Sequence, residues 1–229
     1  MKSDALAALQ IARAAKQPVV FATRLSDGFQ ILLPDASASA ALNALAHRAL
    51  ARDENKTHEI DGESWFLHAY SPPVRLVIVG AVHIAQSLVP MAAPLGFDLI
   101  VIDPRRSFAT EERFPNVTLM DDWPDEAMEK VAPDARTGVV TLTHDPKLDD
   151  PGLDRALRSE AFYIGSLGSR KTHANRLARL AALGHSPETL ARIKGPVGLD
   201  IGAATAPEIA LSILAEFVSV RRRIGQEGA

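Results

Sequence analysis

The chain contains no cysteine among its 229 residues, and this absence excludes several kinds of chemistry at once. Disulfide bonds, thiolate zinc sites, iron–sulfur clusters and cysteine nucleophiles all need a thiol. The formal net charge is only −3, which gives no electrostatic attraction for a nucleic-acid partner. We therefore expect no nucleic-acid partner, and the lack of thiols fits a reducing compartment.

Long apolar runs are also missing from the sequence. None approaches the roughly 18 residues that a membrane-spanning helix needs. The first 17 residues, MKSDALAALQIARAAKQ, lack the apolar core and the cleavage pattern of a signal peptide. We therefore expect a soluble, cytoplasmic protein without a membrane partner.

Residues 1–72 are predicted to form a small α+β domain. The predicted elements are a helix over 4–16, strands over 18–25, 29–34, 57–60 and 63–70, and an apolar helix face between 42 and 50. The stiff segment Ser71-Pro72-Pro73 is the best candidate for a domain boundary. The sequence thus predicts two domains, 1–72 and 73–229.

From residue 74 onward the pattern changes to an alternation of strands and helices. Strands are predicted at 74–79, 98–103, 117–120, 137–143, 161–165 and 196–200. Helices are predicted near 82–93, 124–131, 151–159, 169–183, 187–193 and 206–223. Such a series implies a parallel sheet with helices on both faces. The predicted fold class is α/β, a Rossmann-like doubly wound parallel sheet with a small N-terminal α+β domain.

The turn after the first of these strands resembles a dinucleotide-binding turn with one position altered. That turn usually reads G-x-G-x-x-G/A, and its middle glycine lets the backbone approach a pyrophosphate. Here Gly80 and Ala85 hold the outer positions, whereas Val82 replaces the middle glycine. Asp103 follows the second strand, where an acid can bond a ribose hydroxyl, although an Asp-Pro turn that caps local amides is the structural alternative. Its neighbours Arg105 and Arg106 would instead suit a phosphate.

A second glycine-rich turn, GSLGSRKT at 165–172, is predicted to bind an anion. Its glycines and serines lead into a helix, and backbone N–H groups at a helix start attract negative groups. Arg170 and Lys171 could add charge-assisted hydrogen bonds. The alternative is a glycine turn capped by Ser169 with solvated cations. No G-K-[ST] pattern is present, so this is not a Walker P-loop.

Polar or small residues follow nearly every predicted strand, and these ends share one edge of a parallel sheet. The candidate cofactor-binding residues are Gly80, Val82, His83, Asp103, Arg105, Thr143, His144, Asp145, Lys147, Gly165, Ser166, Gly168, Ser169, Arg170, Lys171 and Asp200.

A cluster of His83, His144 and Asp145 could bind a metal or an oxyanion, but two hydrogen-bonded turn histidines are the favoured interpretation. No H-x-x-x-H or carboxylate spacing supports a dedicated metal site. No G-x-S-x-G elbow supports a hydrolase. We therefore predict neither a metal site nor catalytic residues.

Five segments together resemble the XdhC/CoxI family of accessory proteins for molybdenum hydroxylases. They are PPVRLVIVGAVHIAQSLVP (72–90), VIDPRRSFATEERFP (101–115), VVTLTHDPKLDDPGLDRALRS (139–159), AFYIGSLGSRKTHANRL (161–177) and GPVGLDIGAATAPEIALSILAEFVSVRR (195–222). They occur in family order and cover residues 72–223. Two features depart from the family pattern: GAVHIAQ replaces the commoner GAGHVAQ, and residues 1–71 are short and lack the family's cysteine-containing segment.

The resemblance implies a Rossmann-like C-terminal domain in a chaperone rather than an enzyme. Such a chaperone holds molybdenum cofactor (molybdopterin) as cargo, allows it to be sulfurated and delivers it to a molybdenum hydroxylase apoenzyme such as xanthine dehydrogenase or carbon monoxide dehydrogenase. A cysteine desulfurase is a further candidate partner, and a homodimer is a base-rate expectation. The alternatives are an NAD(P)-dependent oxidoreductase, which Val82 disfavours, and a non-catalytic nucleotide-sensing domain.

Overall fold

The computed structural model describes residues 2–224, which divide into two compact units. The first unit comprises the residues up to Pro72 together with the C-terminal end of the last helix, from Arg222 onward. The second unit is Pro73–Arg221. Within residues 2–224, no helix combines the length and apolarity that crossing a membrane demands.

The first unit is a four-stranded antiparallel sheet with two helices. Its elements are α1 (Lys2–Ala14), β1 (Val19–Arg24), β2 (Gln30–Leu33), α2 (Ala40–Arg52), β3 (Lys56–Ile60) and β4 (Glu63–Tyr70), and the strand order is β2-β1-β4-β3. Alternation along β1 separates two apolar clusters: Val20 and Ala22 pack with α2, whereas Val19 and Phe21 pack in the cluster that contains Leu9 of α1. Successive side chains of a strand point to opposite faces, so this short sheet is covered on both faces.

The second unit is a six-stranded parallel sheet covered by helices. Its strands are β5 (Arg75–Val79), β6 (Asp98–Ile102), β7 (Thr118–Met120), β8 (Thr137–Thr141), β9 (Tyr163–Ser166) and β10 (Ile193–Lys194). Its helices are α3 (His83–Ala92), α4 (Pro124–Val131), α5 (Pro146–Leu157), α6 (Arg170–Ala182), α7 (Pro187–Leu190) and α8 (Ala206–Ile224). The strand order is β10-β9-β8-β5-β6-β7 with every pair parallel. This confirms the predicted α/β class and the doubly wound sheet.

Two apolar cores lie on the two faces of this sheet. Leu76 and Ile78 of β5 pack in the cluster that holds buried residues of α3 and α8. Val77 and Val79 alternate with them and pack in the cluster that holds residues of α4, α5 and α6. Both faces of β5 are therefore buried, as its continuous apolar sequence predicts for a central parallel strand.

An aromatic cluster seats α8 on the sheet. The Phe217 ring lies 5.3 Å from Phe97, 5.1 Å from Phe162 and 5.4 Å from Tyr163, measured between ring centroids. A Cβ at Gly138 in β8 would overlap this ring. Gly138 therefore provides the space into which the last helix packs its largest side chain.

The predicted strand at 196–200 is wrong. The sixth strand is instead β10, whose Ile193 and Lys194 pair with Ile164 and Gly165. Beyond it, Gly198 has a φ of +97° and donates its N–H to Glu216 Oε2 at 3.0 Å. The left-handed backbone and this bond to α8 turn the chain out of the sheet, so the apolar run that resembled a strand is a loop.

The helix predicted over 151–159 begins earlier, at Pro146. Asp145 is its N-cap, and the Asp145 carboxylate accepts a hydrogen bond from Lys147 N at 2.9 Å. Pro146 occupies the first helical position, where a missing N–H costs nothing. Pro151 lies inside the helix and does not mark its start.

Candidate functional site

The strand order reverses between β5 and β8, and this reversal locates the candidate site. Residues that follow β5, β6, β8 and β9 all leave the sheet at its carboxyl edge, where open α/β folds bind ligands. Relative to β5, the two halves of the sheet read β5-β6-β7 on one side and β8-β9-β10 on the other. The loops after β5 and β8 therefore meet at the switch point.

Gly80 brings these two loops into contact. Its φ is +111°, and a Cβ at this position would lie 2.5 Å from Thr143 Cγ2 and 3.4 Å from Thr143 N. Only glycine tolerates both the backbone angle and the close approach. The first predicted turn is thus pressed against the loop after β8.

Asp103 holds the same turn from the other side. Its carboxylate is fully buried and accepts hydrogen bonds from Ala81 N at 2.8 Å, from Arg105 N at 3.0 Å and from the Arg105 guanidinium at 2.7–2.9 Å. Burial alone would raise the pKa of Asp103, but these hydrogen bonds lower it below its ordinary value. Both oxygens already have protein donors, so Asp103 organises the turn. A bond from Asp103 to a ribose hydroxyl stays a prediction.

Val82 and His83 end the turn and start α3. Val82 is the N-cap with an extended backbone, and its half-buried side chain packs against the apolar cluster that contains α3 and α8. His83 is exposed at the first position of the helix. The residue that replaces the usual middle glycine therefore contributes to the core.

The loop after β8 carries four of the predicted residues. Thr143 is half-buried, whereas His144, Asp145 and Lys147 are exposed. His144 has a φ of +64°, a left-handed conformation that reverses the chain just before α5. The Asp145 N–H donates to Thr143 Oγ1 at 3.0 Å, so this loop is held by its own side chains.

The turn after β9 divides into a buried and an exposed part. Gly165 and Ser166 lie within β9 and are buried, and the Ser166 hydroxyl bonds Thr141 Oγ1 at 2.5 Å. A Cβ at Gly165 would lie 2.5 Å from Val197 Cγ2, so this glycine permits close packing. These two residues support the sheet, and the solvent-exposed part of the motif starts further along the chain.

The exposed part of this turn is the start of α6. Gly168 has a φ of +142°, and the Ser169 hydroxyl caps the helix by accepting from Thr172 N at 3.1 Å. Ser169, Arg170 and Lys171 are all exposed, and the first helical turn holds no acidic residue. First-turn amides have no partner within a helix. The helix start and both cations therefore form one electropositive surface.

The loop after β6 carries two cations of the same edge of the sheet, Arg105 and Arg106. The pKa of Arg105 is raised, chiefly by its bond to Asp103 and further by the charges of Asp145 and Asp149. The Arg105 guanidinium therefore stays bonded to Asp103 beside the first turn. Arg106, by contrast, is exposed and pairs with Asp121 at 2.8 Å.

Asp200 is displaced from the predicted arrangement because β10 ends before it. It is exposed in the loop between β10 and α8, next to Leu199, whose N–H donates to Ser212 O at 3.1 Å. The structure thus ties this loop to α8. A ligand contact from Asp200 stays a prediction.

Two functional candidates escaped the sequence analysis, Asp149 of α5 and Arg176 of α6. Each has 1% of its surface exposed. The spacing of four residues between Arg176 and Leu180, the other buried residue of α6, could have revealed that Arg176 lies on the inner face of this helix.

Two pockets in the structure lie away from this edge of the sheet. One of about 280 Å³ lies in the first unit, beside Arg24, Phe29 and Trp65, and one of about 420 Å³ lies beside Asp150 and Arg179 of the second unit. Neither is lined by a predicted site residue. Across residues 2–224, no group of three or more His, Asp or Glu side chains is arranged to hold a metal ion.

The strand order and the loops at the switch point define a Rossmann-type domain with its candidate ligand site at the carboxyl edge. Residues 76–217 match the model of the XdhC Rossmann domain. The chain belongs to this family, which confirms the resemblance inferred from its motifs.

Curated relatives carry related names. The chain is 36% identical over 152 residues to the molybdenum cofactor insertion chaperone PaoD of Escherichia coli K12, covering 66% of this chain and 42% of PaoD. It is 32% identical over 160 residues to a probable xanthine dehydrogenase subunit of Bacillus subtilis 168, covering 69% of this chain and 46% of that protein. It is 34% identical over 158 residues to the uncharacterized protein YqeB of Escherichia coli K12, covering 69% and 29%. The chain thus spans less than half the length of these relatives.

A solved structure shares the architecture. The crystal structure described as a xanthine dehydrogenase from Bacillus halodurans superposes with a TM-score of 0.68 at 26% sequence identity. The match covers 91% of this chain and 61% of that one, so it extends across both units of the chain.

Proposed function

We propose that this protein is a molybdenum cofactor chaperone that assists the maturation of a molybdenum hydroxylase. The observation that carries the proposal is the exposed, cationic start of α6 at the ligand edge of the sheet, in a chain similar to a molybdenum cofactor insertion chaperone. A chaperone needs to hold and release its cargo, and no catalytic group is required of it.

The donor set suits the phosphate of a molybdopterin cofactor. Arg170, Lys171 and the first-turn amides of α6 would bind the phosphate, because helix starts and charge-assisted donors favour anions. Thr143 and the exposed His144 would line the neighbouring loop. The chain has no cysteine and so would offer no thiolate ligand to molybdenum. Bound in this way, the cofactor would bring the molybdenum centre that the client enzyme needs.

An exposed site also suits transfer to a client. Ser169, Arg170 and Lys171 are open to solvent, and exposed charge pairs are weak and screened by salt. We therefore propose a molybdenum hydroxylase apoenzyme as the recipient and a cysteine desulfurase as the sulfur source. We further propose a homodimer in the cytoplasm, to be checked by light scattering and cell fractionation.

Cofactor retention tests the proposal directly. Purified protein is mixed with molybdenum cofactor released from a denatured molybdenum hydroxylase, and separately with NAD, NADP and their reduced forms, before gel filtration. We expect the molybdenum cofactor to co-elute and to activate apo-hydroxylase. Tight NADPH binding with turnover would overturn the proposal in favour of an oxidoreductase.

The double substitution Arg170→Ala with Lys171→Ala locates the site. We expect retention to weaken more than tenfold, because two exposed charge-assisted bonds worth about 1 kcal/mol each together exceed the roughly 1.4 kcal/mol of a tenfold change. The matched control is Arg155→Ala with Arg158→Ala, which removes the same charge from the far end of α5. Equal retention by the double variant and wild type would reduce GSLGSRKT to a structural turn.

A further inference from the structure

The Rossmann unit buries a carboxylate and a guanidinium side by side that the proposed function does not use. Asp149 of α5 and Arg176 of α6 are each 1% exposed, and their closest charged atoms, Oδ2 and Nη2, are 3.7 Å apart. This distance allows electrostatic attraction but is too long for a hydrogen bond. The pair therefore brings two buried charges close without locking them to each other.

Asp149 is bonded instead to the loop after β8. Its Oδ1 accepts from Thr143 Oγ1 at 2.7 Å and from Thr143 N at 3.3 Å. Thr143 is the residue that Gly80 contacts. Asp149 thus fixes the loop that meets the first turn at the switch point.

Arg176 is bonded to the loop after β9. Its Nη2 donates to Leu167 O at 2.8 Å, one residue before Gly168. A Cβ at Gly168 would lie 3.6 Å from the same Nη2. Arg176 thus supports the turn that leads to the exposed start of α6.

Three polar atoms of the pair have no hydrogen-bond partner among the described residues: Asp149 Oδ2, Arg176 Nε and Arg176 Nη1. Burial raises the pKa of Asp149 above its ordinary value, although the hydrogen bonds from Thr143 and the nearby Arg176 and His144 act to lower it. Unpaired buried atoms are costly, and a buried ion pair is a poor source of stability. Stability alone therefore does not account for this pair.

We infer that Asp149 and Arg176 are positioning residues that set the spacing between the loops after β8 and β9, and through it the affinity of the ligand edge. The ligand part of this inference rests on the proposed cofactor-binding function, whereas the loop spacing does not. Neither side chain touches the ligand in this arrangement, because both are buried.

The next residue along α5 provides a matched control. Asp150 pairs with Arg179 of α6 through bonds of 2.5 and 3.0 Å. This pair bridges the same two helices but reaches neither loop. If substitutions in the two pairs have different effects, the difference reports the contacts with the loops rather than the packing of α5 against α6.

The experiment compares the substitutions Arg176→Met, Arg176→Lys and Asp149→Asn with the control Arg179→Met in the full chain. Amide hydrogen exchange is measured at Thr143, Asp145 and Leu167, together with retention of molybdenum cofactor and thermal stability. We expect Arg176→Met to speed exchange at Thr143 and Asp145 at least fivefold and to weaken retention at least fivefold. Asp149→Asn should speed exchange at Leu167, in the loop that Asp149 itself does not bond. Arg176→Lys should show a smaller effect than Arg176→Met, and Arg179→Met should change each value less than twofold.

The effect across the two loops decides the inference. If each substitution speeds exchange only in the loop that its own side chain bonds, or if Arg179→Met has the same effect, the pair is merely structural and the inference is wrong. Should Arg176→Met fail to fold, Arg176→Lys and Asp149→Asn apply the same criterion. Failure of wild-type protein to retain the cofactor would defeat the proposed function, while hydrogen exchange would still decide the loop spacing.

Discussion

The two glycine-containing turns at the carboxyl edge of the parallel sheet look alike in sequence and differ in construction. At the turn after β5, Gly80 abuts Thr143, the Ala81 N–H is held by Asp103, and Val82 packs into the core. At the turn after β9, Ser169 caps a helix whose next two residues are exposed cations. The first turn is tied into the protein and the second is open to solvent. A glycine pattern therefore indicates a tight turn, and only the groups around it decide whether the turn can accept an anion.

The largest expected effect comes from Gly80→Ala. The new Cβ would meet Thr143 at 2.5 Å in a backbone with φ of +111°, so we expect a loss of about 3 kcal/mol in the free energy of unfolding. Urea denaturation measures it. Gly96→Ala is the control: its φ is +71°, but a Cβ there meets nothing within 4 Å, and it should cost about 1 kcal/mol. Equal losses would show that contact with Thr143 is unimportant.

Asp103→Asn should lower stability by about 2 kcal/mol at neutral pH, because it weakens charge-assisted bonds from Ala81 and Arg105. The pKa of Asp103 is lowered from 3.8. Its stabilisation is therefore complete above pH 3.8 and is lost as the pH falls through the folded-state value. The difference between variant and wild type, followed by denaturation from pH 7 to pH 2, should shrink in that acidic range. Asp98→Asn, at the other end of β6, should show no comparable loss, and a pH-independent gap would contradict the assignment.

Gly168→Ala tests the open turn. The φ of +142° and a contact of 3.0 Å with Thr172 Cγ2 predict a loss of about 1–2 kcal/mol. This loss is smaller than at Gly80, where the corresponding contact with Thr143 Cγ2 is only 2.5 Å. Retention of molybdenum cofactor should fall severalfold as the start of α6 shifts. Gly184→Ala, just beyond the far end of α6, is the control for retention. Unchanged retention in the Gly168 variant would separate the turn from the binding site.

Val82→Gly should have the smallest effect. We expect a loss of about 1 kcal/mol from the half-buried side chain and no gain in nicotinamide dinucleotide binding, since the Val82 side chain packs against the core. Calorimetric titration with NAD and NADPH checks the second part. A clear gain in affinity would identify the Val82 side chain as the obstacle to dinucleotides.

The sequence predicted the frame of this fold better than the details of its site. Strands such as β5, whose apolar residues run without interruption, and the capped start of α6 carry strong local signals. The strand predicted at 196–200 failed because an apolar run does not reveal that Gly198 adopts a left-handed conformation bonded to Glu216. Asp149 and Arg176 escaped because charged residues in helices are usually exposed, and only the three-dimensional structure shows them together.

The close contact between Gly138 and Phe217 has a consequence for the order of folding. All six strands precede Phe217 in the chain, so a nascent polypeptide completes its sheet before the ring that fills the space at Gly138 is synthesised. Until then, the apolar cluster that includes Leu76, Ile78 and Val140 lacks its residues from α8, and exposed apolar sheet surfaces promote aggregation. We therefore expect the sheet to be protected from aggregation only after α8 has been synthesised and has packed on it.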